Sequence, residues 1–280
     1  MLKKYNIMFS ILVCFGFSQT PTRVSDINGG NSSSGPSYLT VYNNKLYFAA
    51  TNGSNSSSQY GDELWVYEDD NHPSIVYDIR NGTNSSSPTE LTVYNNKLYF
   101  SANNGSSGAE LWVYDAVNNP SMVYNINSSS GDGSDIQYLT VYNGKLYFNA
   151  SNGRNSGNTG SELWVYDGTN DPSLVYDIIS GTDGSRPSYL EVFNDNLFFS
   201  AFTVSYGTEL WKYDKTAPTI SSVSLDADNT TIAVTMSEAV YNTNGGSGAL
   251  EASDFAFAIS GGTATLSSST PTSISISGNV

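Results

Sequence analysis

LTVYNNKLYF occupies residues 39–48, and the same ten letters return at residues 91–100. LTVYNGKLYF follows at 139–148 and LEVFNDNLFF at 190–199. In each copy, two residues that tolerate positive φ separate two short β-prone runs: Asn43 and Asn44, Asn95 and Asn96, Asn143 and Gly144, Asn194 and Asp195. That is what a two-residue type I′ hairpin requires. The register then pairs Val41 with Leu46 and Leu39 with Phe48, and alternation puts these four on one face. Thr40, Tyr42, Lys45 and Tyr47 share the other. A face left to water would carry small polar groups, so the tyrosines predict that the second face is partly covered too.

The hairpin is half of a larger unit. Gly-x-Glu-Leu-Trp-x-Tyr follows each copy, at residues 61–67, 108–114, 160–166 and 207–213. After three of these comes a Pro-Ser step and an apolar run ending in Asp-Ile or Asn-Ile, at 73–79, 120–126 and 172–178. Each unit therefore reads as four short strands, a to d. Trp65, Trp112, Trp164 and Trp211 mark the repeat, and a period of about fifty residues with four strands is the sign of a β-propeller blade. The fourth unit stops after strand c, whereas residues 22–27 (TRVSDI) look like a strand d with no blade before it. The predicted fold is an all-β, four-bladed propeller over residues 20–215, closed by its N-terminal strand, since closure removes exposed edges. An open row of sheets is the alternative.

Residues 98–115 (LYFSANNGSSGAELWVYD) and 162–169 (ELWVYDGT) resemble the bacterial ELWxxDGT repeat family of secreted proteins. The resemblance extends over about residues 22–214. It departs where DGT is expected in the other units: Glu68, Asp69 and Asp70; Asp115, Ala116 and Val117; Asp214, Lys215 and Thr216. The family implies an exported, propeller-like repeat protein and no catalytic residues to transfer. From Ala217 the aromatics nearly vanish. Residues 219–240 read as a hairpin turning at 226–229, and residues 255–268 as another. This tail, residues 216–280, resembles bacterial Ig-like repeats that follow an APTI linker. It is too short for a complete sandwich of about 100 residues, so a truncated domain is expected.

Lys3 and Lys4 precede an apolar run at residues 7–17, too short to span a bilayer, and small residues follow. Residues 1–19 are read as a secretory signal peptide, which predicts a secreted or surface-displayed protein. Cys14, the only cysteine, lies within it, so the mature chain would have no thiol, disulfide or Cys-ligated zinc. Twenty-six acids against 11 bases give a net charge of −15. That balance excludes nucleic acid as a natural partner and disfavours anionic membranes. No membrane insertion of the mature chain and a monomeric state are expected.

Glu63, Glu110, Glu162 and Glu209 recur once per unit, as do the four tryptophans. A residue repeated in every unit solves a problem every unit has, so both sets are read as structural. No pair of acids breaks the repeat as a glycosidase pair would, and no catalytic residue or cofactor is assigned. Asp132, Asp135 and Asp183 are loop acids and the candidate Ca²⁺ ligands. Strand parity puts the b–c and d–a loops on one face, where Tyr60, Tyr206, Asp132, Asp135, Asp183 and Arg186 are the candidate ligand-binding residues. The expected function is a non-enzymatic surface binding or adhesion module for glycan or protein. An extracellular glycan hydrolase using loop acids and a structural spacer are the alternatives.

Overall fold

The computed structural model describes residues 20–53, 59–68, 72–128, 131–153, 158–214, 220–225, 227, 232–236, 252 and 273. The expected signal peptide and the second tail hairpin lie outside these residues. Three four-stranded antiparallel sheets follow one another: β1 (Ser37–Tyr42) to β4 (Ser74–Tyr77), with β2 (Lys45–Ala50) and β3 (Glu63–Tyr67) between; then β5 (Thr89–Tyr94), β6 (Lys97–Asn103), β7 (Ala109–Tyr114) and β8 (Ser121–Tyr124); then β9 (Gln137–Tyr142), β10 (Lys145–Ser151), β11 (Ser161–Tyr166) and β12 (Ser173–Tyr176). A three-stranded sheet of β13 (Ser188–Phe193), β14 (Asn196–Thr203) and β15 (Gly207–Tyr213) comes next. In the tail, β16 (Ile220–Leu225) pairs with β17 (Ile232–Met236). Among the described residues no helix is long and apolar enough to cross a membrane.

Each first hairpin turns through two left-handed residues, such as Asn43 (φ 49°) and Asn44 (φ 58°), as a type I′ turn demands. Val41 pairs with Leu46 and Thr40 with Tyr47. The expected partnership of Leu39 with Phe48 does not form. Register shifts between Ser37 and Thr40 because one extra residue is accommodated there, and Tyr38 takes φ 54° to do so. Glu90, Tyr138 and Tyr189 repeat the conformation in the later sheets. This is a β-bulge built without glycine.

The core lies between sheets. Tyr42, Tyr47 and Leu64 of the first sheet pack on Leu91, Leu98, Phe100 and Trp112 of the second. Tyr94, Tyr99 and Leu111 pack likewise on Leu139, Leu146, Phe148 and Trp164, and Tyr142, Tyr147 and Leu163 on Leu190, Leu197 and Phe199. So the Tyr-rich face of one sheet is covered by the Leu/Phe/Trp face of the next. Each fully buried large side chain contributes about 1.5–3 kcal/mol. Hydrogen bonds fix the joint: the hydroxyls of Tyr42, Tyr94 and Tyr142 donate to the turn carbonyls of Asn96 (2.9 Å), Gly144 (2.8 Å) and Asp195 (2.8 Å) in the following sheet.

The ring is open in this structure. Residues 22–27 form no strand, and the fourth sheet ends with β15. The N-terminal segment instead covers part of the first sheet, where Ile27 packs beside Phe48, Ala50 and Trp65. Ile79 holds the same station against Phe100 and Trp112 one unit later. The segment thus behaves as the loop that would enter the first sheet from a preceding one, and it pairs with no strand.

Candidate functional site

The b–c and d–a loops meet on one face, and glycine permits it. A Cβ on Gly108 would stand 2.2 Å from Gly133 N, and one on Gly160 would stand 2.6 Å from Thr182 O. Both glycines also take positive φ, 70° and 68°. The d–a loop therefore lies directly on the entry to strand c of its own sheet. It also touches the next sheet: Asn103 N donates to Ser86 O (2.9 Å), and Ser151 N to Ser134 O (2.7 Å).

The recurrent glutamates clamp these loops. Glu63 accepts from the backbone N–H groups of Ile79 (3.1 Å), Arg80 (3.3 Å) and Ser86 (3.0 Å), and from the Ser86 hydroxyl (2.5 Å). Glu110 accepts from Ile126 N (3.1 Å) and Ser134 Oγ (2.6 Å), and Glu162 from Ile178 N, Ile179 N, Ser185 N and Ser185 Oγ. All three are fully buried. Burial raises their pKa values against the opposing pull of these hydrogen bonds, and carries Glu110 up to about 7. A carboxyl wrapped this tightly has no face left for substrate. Glu209, at the same repeat position in the fourth sheet, is exposed. Trp112 and Trp164 are buried in joints between sheets, Trp65 is buried on the outer face of the first sheet beside Ile27, and Trp211 is half-buried in the joint of the third and fourth sheets.

A polar cleft of about 360 Å³ opens on the loop face beside the first strands. Tyr38, Arg80, Ser87, Glu90, Asn103 and Asp135 are among its lining residues. The Arg80 guanidinium is partly held by donation to Ser85 O (3.3 Å), and Glu90 Oε2 accepts from Leu139 N (3.3 Å). Four of these residues are left-handed: Tyr38 (φ 54°), Ser87 (φ 49°), Glu90 (φ 61°) and Asp135 (φ 53°). Such backbone costs about 1–3 kcal/mol per residue and is held only where surroundings enforce it. Farther along, the rings of Tyr138 and Tyr189 lie 5.4 Å apart at an interplanar angle of 50°.

Of the six residues expected to bind ligand, Asp135 lines this cleft. Asp132 and Asp183 lie in loop segments pressed on Gly108 and Gly160. Arg186 N donates to Ser161 O (2.9 Å), tying it to the third sheet. Tyr60 N donates to Asn52 Oδ1 (2.6 Å) at the rim of the first sheet, and Tyr206 is exposed in the β14–β15 turn. Among the described residues no three His, Cys, Asp or Glu side chains are grouped to hold a metal ion. Sequence reasoning missed Arg80, Glu90 and Tyr38. The signal was there: Glu90 stands where the other units have Tyr38, Tyr138 and Tyr189, and Asp135 where they have Gly35, Ser87 and Arg186.

No family model matches the chain, and no curated protein matches it. Among solved structures it is similar to the β-propeller domain of the Trilobed protease from Pyrococcus furiosus, at 12% identity and TM-score 0.40, over 64% of this chain and 52% of that one. It is also similar to an acylaminoacyl peptidase from Pyrococcus horikoshii, at 10% identity and TM-score 0.40, over 63% of this chain and 25% of that one. An endo-arabinase from Bacteroides thetaiotaomicron matches at 12% identity and TM-score 0.30, over 78% and 97% of the two chains. The chain thus spans about half of the first and a quarter of the second. At these TM-scores the likeness carries nothing over to this chain.

Proposed function

We infer that this is an exported binding module whose loop face takes a neutral glycan. The single observation that carries the reading is the cleft holding Arg80, Glu90 and Asp135 beside Tyr38. Here the repeat breaks its own pattern with charge, on a backbone kept in costly conformations. Hydroxyl-rich ligands are bound by a few acids and guanidinium groups placed around an aromatic surface. The chain's charge of −15 repels polyanions and leaves uncharged sugars as the better match. The resemblance to exported ELWxxDGT proteins supports a place outside the cell.

The test is a glycan array followed by titration calorimetry on the best hit. Arg80→Ala, Glu90→Gln and Asp135→Asn should each weaken binding at least about tenfold, or about 1.4 kcal/mol, while Lys97→Ala on the tight-turn face leaves it unchanged. Loss on Tyr60→Ala and Tyr206→Ala instead would move the site to the outer loops. Release of reducing ends, abolished by Glu90→Gln or Asp135→Asn, would replace binding with hydrolysis. Absence of any hit would leave a spacer.

A further inference from the structure

The two ends of the row are the two halves of one joint. At the N-terminal end the segment before β1 is already wound as a d–a loop. Gly30 N donates to Asp26 Oδ2 (3.2 Å) as Gly82 N does to Asp78 Oδ2 (2.8 Å). Asn28 Nδ2 donates to Ser33 O (2.8 Å), just as Asn127 Nδ2 donates to Gly133 O (3.0 Å). Thr51 N donates to Ser34 O (3.0 Å), as Asn103 N does to Ser86 O. Ser34 therefore holds the station of Ser86, Ser134 and Ser185, the three serines whose hydroxyls donate to buried glutamates. Among the described residues no glutamate reaches it. Ser34 instead lines an apolar cleft of about 250 Å³ with Ile27, Leu39, Phe48 and Tyr67.

At the other end the missing parts stand unused. Glu209 is exposed and, among the described residues, accepts no hydrogen bond. Leu210 beside it is 75% exposed, against 0%, 0% and 2% for its counterparts Leu64, Leu111 and Leu163. Inside the row those leucines pack with Leu91, Leu139 and Leu190 of the next sheet. The one leucine of that set left open is Leu39, 60% exposed.

We propose that a second copy of this chain docks head to tail, with Leu210 of one copy on Leu39 of the other and Glu209 received by Ser34. The contact is heterologous, so two copies meeting at both ends close a ring of twice four sheets, within the range known for propellers. With its three internal joints packed, the chain leaves both ends uncovered in this structure, Leu39 and Leu210 being exposed together. Three substitutions make this joint weaker than the internal ones. Glu191, Phe193 and Lys212 stand where the other sheets have threonine, tyrosine and valine. Thr40 and Tyr42 donate across their joint, to Leu91 O (3.0 Å) and Asn96 O; Phe193 has no hydroxyl to do so. The contact is therefore reversible.

Sedimentation velocity on the full chain over a concentration series reads it directly. A concentration-dependent dimer is expected. Leu39→Arg and Leu210→Glu should each return it to monomer, with the melting temperature unchanged at concentrations where the wild type is itself monomeric, and Glu209→Ala should weaken it. Mixing a copy carrying Glu209→Ala and Leu210→Glu with one carrying Leu39→Arg should restore a dimer through the one intact joint, which a face-to-face contact would not do. The triple variant Glu191→Thr, Phe193→Tyr, Lys212→Val should tighten association at least about tenfold, a gain that misfolding cannot mimic. A chain that stays monomeric at every concentration in both wild-type and triple variant, or a dimer indifferent to Leu39→Arg and Leu210→Glu, overturns the proposal.

Discussion

Glu110 and Glu209 occupy the same position of the same motif, and they live in opposite surroundings. Glu110 is sealed under the loop that leads to the third sheet, accepting from Ile126 N and Ser134 Oγ. Glu209 is covered by no loop among the described residues and stands in solvent. The residue is identical and its local strand is the same. What differs, among the described residues, is whether a following sheet packs on the unit. A repeat residue here has no role of its own; the joint confers it, as expected of a chain whose units contact only their neighbours.

The comparison breaks most visibly at the indoles. Trp112 is 8% exposed within the joint of the first two sheets, and Trp112→Ala should cost about 3–5 kcal/mol in a denaturant titration. Trp211 is only half-buried, and Trp211→Ala should cost about half as much. Equal losses would mean that the last sheet is covered as fully as the inner ones. The glutamates come next. Glu110→Ala leaves buried donors without an acceptor and should cost about 2–3 kcal/mol, whereas Glu209→Ala should stay within about 0.5 kcal/mol.

The smallest effect is the most specific. A carboxyl whose folded pKa is raised is protonated in the fold when the unfolded chain has already released its proton. Its stability is full below the unfolded value, about 4.3, and falls as pH rises through the folded value, about 7 for Glu110. Glu63 and Glu162 are shifted in the same direction by burial. Asp115 and Asp167 act oppositely: hydrogen bonds from Asn118 and Val117, and from Asn170 and Thr169, lower them to about 2, so what they add is lost only in stronger acid. The melting temperature should therefore be higher at pH 5 than at pH 8, and Glu110→Gln should narrow that difference. A variant with an unchanged pH profile would show that Glu110 is ionised in the fold throughout.

Much of the architecture was legible because it is local. Two positive-φ residues between β-prone runs specify the tight hairpins, and the regular return of Glu-Leu-Trp specifies the antiparallel sheets. The gathering of b–c and d–a loops follows from strand parity. What escaped depends on neighbours. The bulge at Tyr38 and Glu90 uses left-handed residues that carry no glycine to announce them. Residues 22–27 form no strand although Ile27 takes the seat beside Phe48 and Trp65 that Ile79 takes one unit later; pairing with β15 depends on whether the two ends of the row meet, which no single segment reveals. Asp135 was found as a loop acid. Its companions Arg80 and Glu90 lie far from it in the chain and are joined only by the stacking of sheets.

The left-handed turns have a chemical consequence over time. Asn43-Asn44 and Asn95-Asn96 hold their second asparagine at φ 58° and 56°, and Asn143 precedes Gly144. Asparagine followed by glycine is the pairing most open to attack by the next backbone nitrogen on the side-chain amide, which ages a protein by succinimide formation. In Asn143-Gly144 the turn carbonyl of Gly144 is fastened to Tyr94 of the preceding sheet, and the hairpin keeps both residues in a fixed conformation. Of the seven Asn-Gly peptides in the chain, this one is restrained by the contact that locks one sheet to the next, so the same joint that confers stability sets the shelf life of the turn it grips.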